Sequence, residues 1–131
     1  MTATCAVYVV ITSVAIAANA FSGVAAMVHF KPIVPRLLEA GVPESWLTFP
    51  IGTLKVAGAV GLLLGLLGVP LMGTAAAIGL ILFFVCAIYT HIRAGDYSLQ
   101  FGLALVFLLL ATAALASDLA TAEVSVRGQL R

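Results

Sequence analysis

The side chains in this sequence that could do chemistry are few, and they fall in or beside long apolar runs. His29 and His91 could ligate a metal or haem, or exchange a proton near neutral pH, because imidazole titrates in that range. Lys55 stands about four residues inside an apolar run, roughly 6 Å deep by helix rise. A charge at that depth either turns into a helix bundle and marks a site or snorkels to the headgroups. Asn19 lies mid-run, where no amide can snorkel, so it should face another helix or an internal cavity. Tyr89, Arg93 and Asp96 cluster around His91. Asp96 could pair with Arg93, or open the next helix as an acid favoured at its N-terminus. Together, Asn19, His29, Lys55, Tyr89, His91, Arg93 and Asp96 are the candidates for a ligand or substrate pocket, with no catalytic role assigned within that set.

Other chemistries have no pattern to rest on. The sequence holds no nucleophile motif, phosphate-cradling loop or paired-carboxylate spacing. Cys5 and Cys86 form no C-x-x-C and no Cys/His cluster, so neither thiol redox chemistry nor structural zinc is signalled. Both are expected to be buried, inert thiols; a disulfide between them would need the start of the first apolar run to meet the last third of the third. No metal is expected. A quinone or haem is compatible with the histidines but not signalled, and the cofactor stays open.

The elements that must position these residues follow from composition. Of 131 residues, 63% are hydrophobic and 8% charged, with a mean hydropathy of +1.23. Soluble domains carry roughly 25% charged residues; six basic and five acidic side chains cannot cover a water-exposed surface. The lipid bilayer is therefore the first partner. A net charge of +1 argues against nucleic acid. Four runs reach the ~20 residues a helical span needs: residues 5–28, 51–69, 71–89 and 99–116. None alternates in polarity as a membrane strand would. The fold class is an all-α, integral membrane four-helix bundle, a single transmembrane domain over residues 1–131 with a polar, frayed tail from 117. Ala18-Asn19-Ala20 resembles a signal-peptidase site, but no basic residue precedes the run and the run continues past it, so a permanent helix is expected.

Pro32, Pro35, Gly41, Pro43 and Pro50 break the first connection, where residues 33–41 suit a short helix and Trp46 suits the headgroup level. In the second run Gly58, Gly61, Gly65 and Gly68 make one stripe that lets a neighbouring backbone approach, within the bundle or in a homo-oligomer. Connectivity alone then gathers His29, Lys31, Lys55, Tyr89, His91, Arg93 and Asp96 at one membrane face, with Arg36, Glu39 and Glu44 in its loop. The opposite face has the bare Gly68–Pro70 turn and the tail, with Asp118, Glu123, Arg127 and Arg131.

FSGVAAMVHF closing the first run, LLEAGVPESWL, IGTLKVAGAVGLLLG and YTHIRAGD resemble the DoxX-like family of small four-helix membrane proteins over roughly residues 20–112. That resemblance implies a four-helix bundle with an interhelical pocket near Lys55 and a bacterial inner (plasma) membrane location. Some relatives are associated with thiosulfate:quinone oxidoreduction or membrane redox assemblies; the redox cysteine pair of some of them is absent here. Two classes of function remain open. One is a non-catalytic subunit or accessory of a redox or lipid-handling assembly, with a membrane protein partner or a second copy. The other is a small intramembrane isomerase, hydrolase or quinone-linked enzyme using Lys55, His29 and His91 on a lipophilic substrate.

Lys31, Arg36, Lys55 and Arg93 outnumber Arg127 and Arg131, so the positive-inside rule makes the crowded face cytoplasmic. A C-terminal reporter active only outside the cytoplasm should then be active; activity of a cytoplasm-only reporter would reverse the orientation.

Overall fold

A computed structural model describes residues 3–28, Pro35, Leu38, Gly41 and 43–130. The four runs become α1 (Ala3–Met27), α2 (Thr53–Leu66), α3 (Met72–Arg93) and α4 (Leu99–Gln129). All four are long and apolar enough to cross a membrane, α2 when counted from Phe49. A 3-10 turn over Glu44–Leu47 and a π-helical turn over Thr48–Gly52 lead into α2, with Phe49 extended at φ −139° and ψ 130° where the chain bends. The short helix expected over residues 33–41, and with it Lys31, Arg36 and Glu39, lies outside the described residues apart from Pro35, Leu38 and Gly41.

Each helix packs on two neighbours, in the order α1–α2–α3–α4 and back to α1. Among the described residues most buried apolar side chains are alanines, and at the centre Ala15, Ala77 and Ala111 pack with Leu62, Leu80 and Phe84. Large apolar residues point outward: Phe21 is 78% exposed and Leu109 70%. Lipid tails are as apolar as leucine, so such a bundle gains little by hiding leucines and is held by close contact instead.

That contact is tightest between α2 and α3. A Cβ on Gly65 would lie 2.6 Å from the Gly73 Cα, and one on Gly61 would lie 2.6 Å from the Ala76 Cβ. At Gly58 it would meet Leu80 at 2.5 Å. Three of the four stripe glycines therefore carry the crossing. Gly68 does not: nothing lies within 4 Å of its Cβ position, and its φ is +97°. It closes α2 instead, where Gly68 N–H donates to the Gly65 carbonyl (3.2 Å) and Val69 N–H to that of Leu64 (3.0 Å). This paired ending needs a left-handed residue, which glycine adopts without a Cβ clash.

The last helix departs furthest from expectation. The polar tail expected to fray continues α4 to Gln129, giving 31 residues, or about 46 Å by helix rise. This exceeds the ~30 Å hydrocarbon thickness. Two contacts explain the extension. The Thr74 hydroxyl in the first turn of α3 donates to the Asp118 carboxylate, and Arg127 pairs with Glu123 one turn away at 2.6 Å. The second pair is exposed and contributes little. The first sets a carboxylate beside a helix N-terminus, where negative charge is favoured. No disulfide joins Cys5, partly buried, to Cys86, which is exposed rather than buried as expected.

Gly65→Leu should destabilise the bundle by about 1–3 kcal/mol, the usual range for an overpacked contact. Gly79→Ala, with nothing within 4 Å, should be neutral or stabilise by up to about 1 kcal/mol through helix propensity. Thermal unfolding in detergent micelles checks the pair; equal effects would refute the assigned crossing.

Candidate functional site

Lys55 sits in the first turn of α2, and the glycine register decides what it meets. Gly65 opposes Gly73, Gly61 opposes Ala76 and Gly58 opposes Leu80. One further turn along the same antiparallel crossing brings Lys55 level with Phe83 and Phe84. Its ammonium lies 5.9 Å from the ring centre of Phe83, 5.5 Å from Phe84 and 5.2 Å from Phe107 of α4. Phe84 stacks edge-on with both other rings, at 5.0 and 5.3 Å. From α1, Ser22 Oγ accepts a hydrogen bond from Lys55 Nζ at 3.2 Å. Gly23 beside it permits this approach, since a Cβ there would fall 3.0 Å from the Lys55 Cβ and 2.9 Å from Val56. Lys55 therefore turns into the bundle, and all four helices contribute to its surroundings.

The magnitudes allow this. A lysine at the centre of a spanning helix costs about 2.5–3.5 kcal/mol on insertion scales. Ring contacts return about 0.5–1 kcal/mol each, and a hydrogen bond to a charged group about 1.5–3 kcal/mol. The two sides are of the same order. Among the described residues no carboxylate forms an ion pair with Lys55; the rings and Ser22 take that place.

One turn deeper on α1, Asn19 is 0% exposed. Its amide Nδ2 donates to the Ala15 carbonyl at 2.9 Å, so the bond is within its own helix rather than across to another. That bond fixes the amide orientation and leaves Oδ1 buried with no protein partner among the described residues.

The second polar group at this end is built by a turn. Gly95 (φ +68°) ends α3, with its N–H donating to the Ile92 carbonyl at 3.0 Å and Asp96 N–H to the His91 carbonyl at 2.9 Å. This is the same paired ending as at Gly68, and it folds Asp96 back over the last turn. Asp96 Oδ2 then meets His91 Nδ1 at 2.8 Å, with both side chains almost covered. Asp96 Oδ1 accepts the Ser98 N–H at 3.1 Å and so satisfies a free donor at the start of α4. The acid therefore reaches His91 rather than Arg93. Ser98 first, and then the His91 ring, hold the Asp96 carboxyl below its usual range, while burial pushes the other way. Phe101 covers the imidazole edge-on at 6.2 Å and stacks with Tyr97 at 5.3 Å.

The candidate residues thus divide. Lys55 and Asn19 lie inside the bundle, and His91 and Asp96 form a pair at its end. Tyr89 is 63% exposed and Arg93 is also exposed; neither joins those groups. His29 lies outside the described residues. The side chains that enclose Lys55, namely Ser22, Phe83, Phe84 and Phe107, were legible only as members of apolar runs. The signal that could have found them is the glycine register, extended by one turn. No group of three metal-ligating side chains occurs among the described residues. Two grooves lined by described residues run along Ala6–Ile11 and Ala20–Ala25 of α1, and neither includes Lys55 or Asn19.

The profile of the DoxX-like family matches residues 10–114, a stretch holding Lys55, the glycine crossing and the His91–Asp96 turn. No curated protein and no solved structure matches the chain.

Since Asp96 has a lowered folded-state pKa, its contribution is present above the unfolded carboxyl value, ~3.9, and is lost as pH falls through the folded one. Asp96→Asn should therefore be less stable than the parent at pH 7, with the gap closing as pH drops below that of a free carboxyl. A gap that persists in acid, measured by thermal unfolding, would remove the carboxylate from this role.

Proposed function

The chain belongs to the DoxX-like family, and from that premise we propose that this integral membrane protein is a non-catalytic, lipid-handling component of a membrane assembly. The observation that carries the reading is the enclosure of Lys55. Its ammonium is turned into the bundle, ringed by Phe83, Phe84 and Phe107, and bonded to Ser22. Such a site suits the holding of a polar head attached to an apolar chain. Among the described residues, none beside the amine resembles an acid/base partner: the His91–Asp96 pair is used in closing the α3–α4 turn. The outward apolar faces of all four helices give ample surface for lipid and for a membrane protein partner or a second copy. The bacterial inner membrane is the setting we assign to it.

A second reading draws on the same residue. Lys55 is only partly buried, and an amine that a lipophilic substrate reaches from the bilayer could polarise its carbonyl in a small intramembrane isomerase or hydrolase. Lys55→Met separates the two. For an accessory protein, cross-linking followed by mass spectrometry should recover the same membrane partners from variant and parent, while the variant retains less co-purified lipid. Unchanged lipid content would sink the lipid-handling reading; turnover of a lipophilic substrate by the parent and not the variant would establish the enzyme.

A further inference from the structure

We infer that Lys55 and Ser22 form the headgroup site for a single-chain carboxylate, an amphiphile of fatty-acid type entering from the bilayer. This rests on the lipid-handling reading and names its ligand. The argument begins with donors. An ammonium has three N–H groups and a serine hydroxyl one O–H. Among the described residues, the only hydrogen bond here runs from Lys55 Nζ to Ser22 Oγ. Two N–H groups of Lys55 and the Ser22 proton therefore have no acceptor among the described residues beside this bond, and they lie at one place. A positive, donor-rich group inside an apolar wall is complementary to an acceptor that carries negative charge, because charge-assisted bonds are roughly twice as strong as neutral ones.

The walls specify the rest of the molecule. Phe83, Phe84 and Phe107 surround the ammonium and present ring faces to the first methylenes of an acyl chain. Ser22, Lys55, Phe83 and Phe107 are each only partly buried, whereas Phe84 is 2% exposed. Phe84 is accordingly the most deeply set of the five, and the other four are each partly reachable from outside the bundle. On the α1 side the space is narrow, since Gly23 brings the two backbones so close that no Cβ fits. One chain is accommodated there more readily than two. Lys55 also lies about one turn below the start of the span, near the level of a fatty-acid carboxylate and deeper than a phospholipid phosphate. Asn19 Oδ1, buried one turn further in with no partner among the described residues, repels an anion and so stops the headgroup at the Ser22 level.

The test uses the full chain in maltoside micelles, with thermal unfolding followed by near-ultraviolet circular dichroism. Laurate, dodecanol and dilauroyl phosphatidic acid are added in parallel. Ligand at a hundredfold excess over its Kd should raise Tm by several degrees. Laurate is expected to do so in the parent and in Lys55→Arg, and to do nothing in Lys55→Met. Ser22→Ala should weaken laurate by about 5–10-fold, the value of one hydrogen bond. If Lys55→Met does not fold, the comparison of laurate with dodecanol in the parent, together with Ser22→Ala, still decides. Equal shifts for laurate and dodecanol, or an undiminished shift in Lys55→Met, would overturn the proposal. A Lys55-dependent shift with phosphatidic acid but not laurate would replace the carboxylate by a phosphate and leave the lipid-handling reading intact. No Lys55-dependent shift with any amphiphile would remove both.

Discussion

The rest of this bundle depends on how closely α2 and α3 approach. Gly65 and Gly73 meet backbone to backbone, and Gly61 and Gly58 receive Ala76 and Leu80. No larger residue leaves room for that crossing, and the crossing sets the register of everything along it. One turn towards the charged end it delivers Phe83 and Phe84 to Lys55. At the other end it leaves the Tyr8 hydroxyl over the Gly65–Gly73 contact and, nearby, Thr74 facing Asp118. In a solvent that gives apolar groups no reason to associate, such contact replaces the hydrophobic effect as the source of order.

Polar groups of these helices are handled in three ways. Thr90, Thr112 and Thr121 return their hydroxyls to the carbonyl one turn back, which silences them in lipid. His91 and Asp96 satisfy each other and finish two helix ends at once. Lys55, Ser22 and Asn19 are different, because each keeps hydrogen-bonding capacity that no described side chain uses. Leaving a buried acceptor unused is expensive, and among the described residues Asn19 Oδ1 is such an atom, one turn from the Lys55–Ser22 bond.

The two glycine-ended helices show how much local chemistry decides. Gly68 and Gly95 take the same left-handed conformation and the same pair of carbonyl bonds. At Gly68 the residues that follow are Val69 and Pro70, and the turn is only a connection. At Gly95 the next residue is an aspartate, so the same geometry becomes a His–Asp pair with a capped helix behind it. Two differences in the motif, His91 for Leu64 and Asp96 for Val69, change a bare turn into an ionisable one.

Four helical spans, lipid as solvent and the crowding of ionisable groups at one end all follow from the sequence, because they depend on composition, run length and the alternation of direction from span to span. The glycine stripe was equally plain, and its spacing announced a close contact. What the sequence left open were quantities that arise between helices. Whether Lys55 snorkels or turns inward depends on rings that lie some 28 and 52 residues away, at Phe83 and Phe107. Gly68 shares the stripe's spacing but not its contact, since the helix ends just before it. The polar tail reads as loose until Asp118 finds Thr74 across the bundle. Periodicity reports which face a residue occupies; only packing decides what stands opposite it, and at Lys55 that difference separates a lysine that snorkels to the headgroups from one that turns into the bundle.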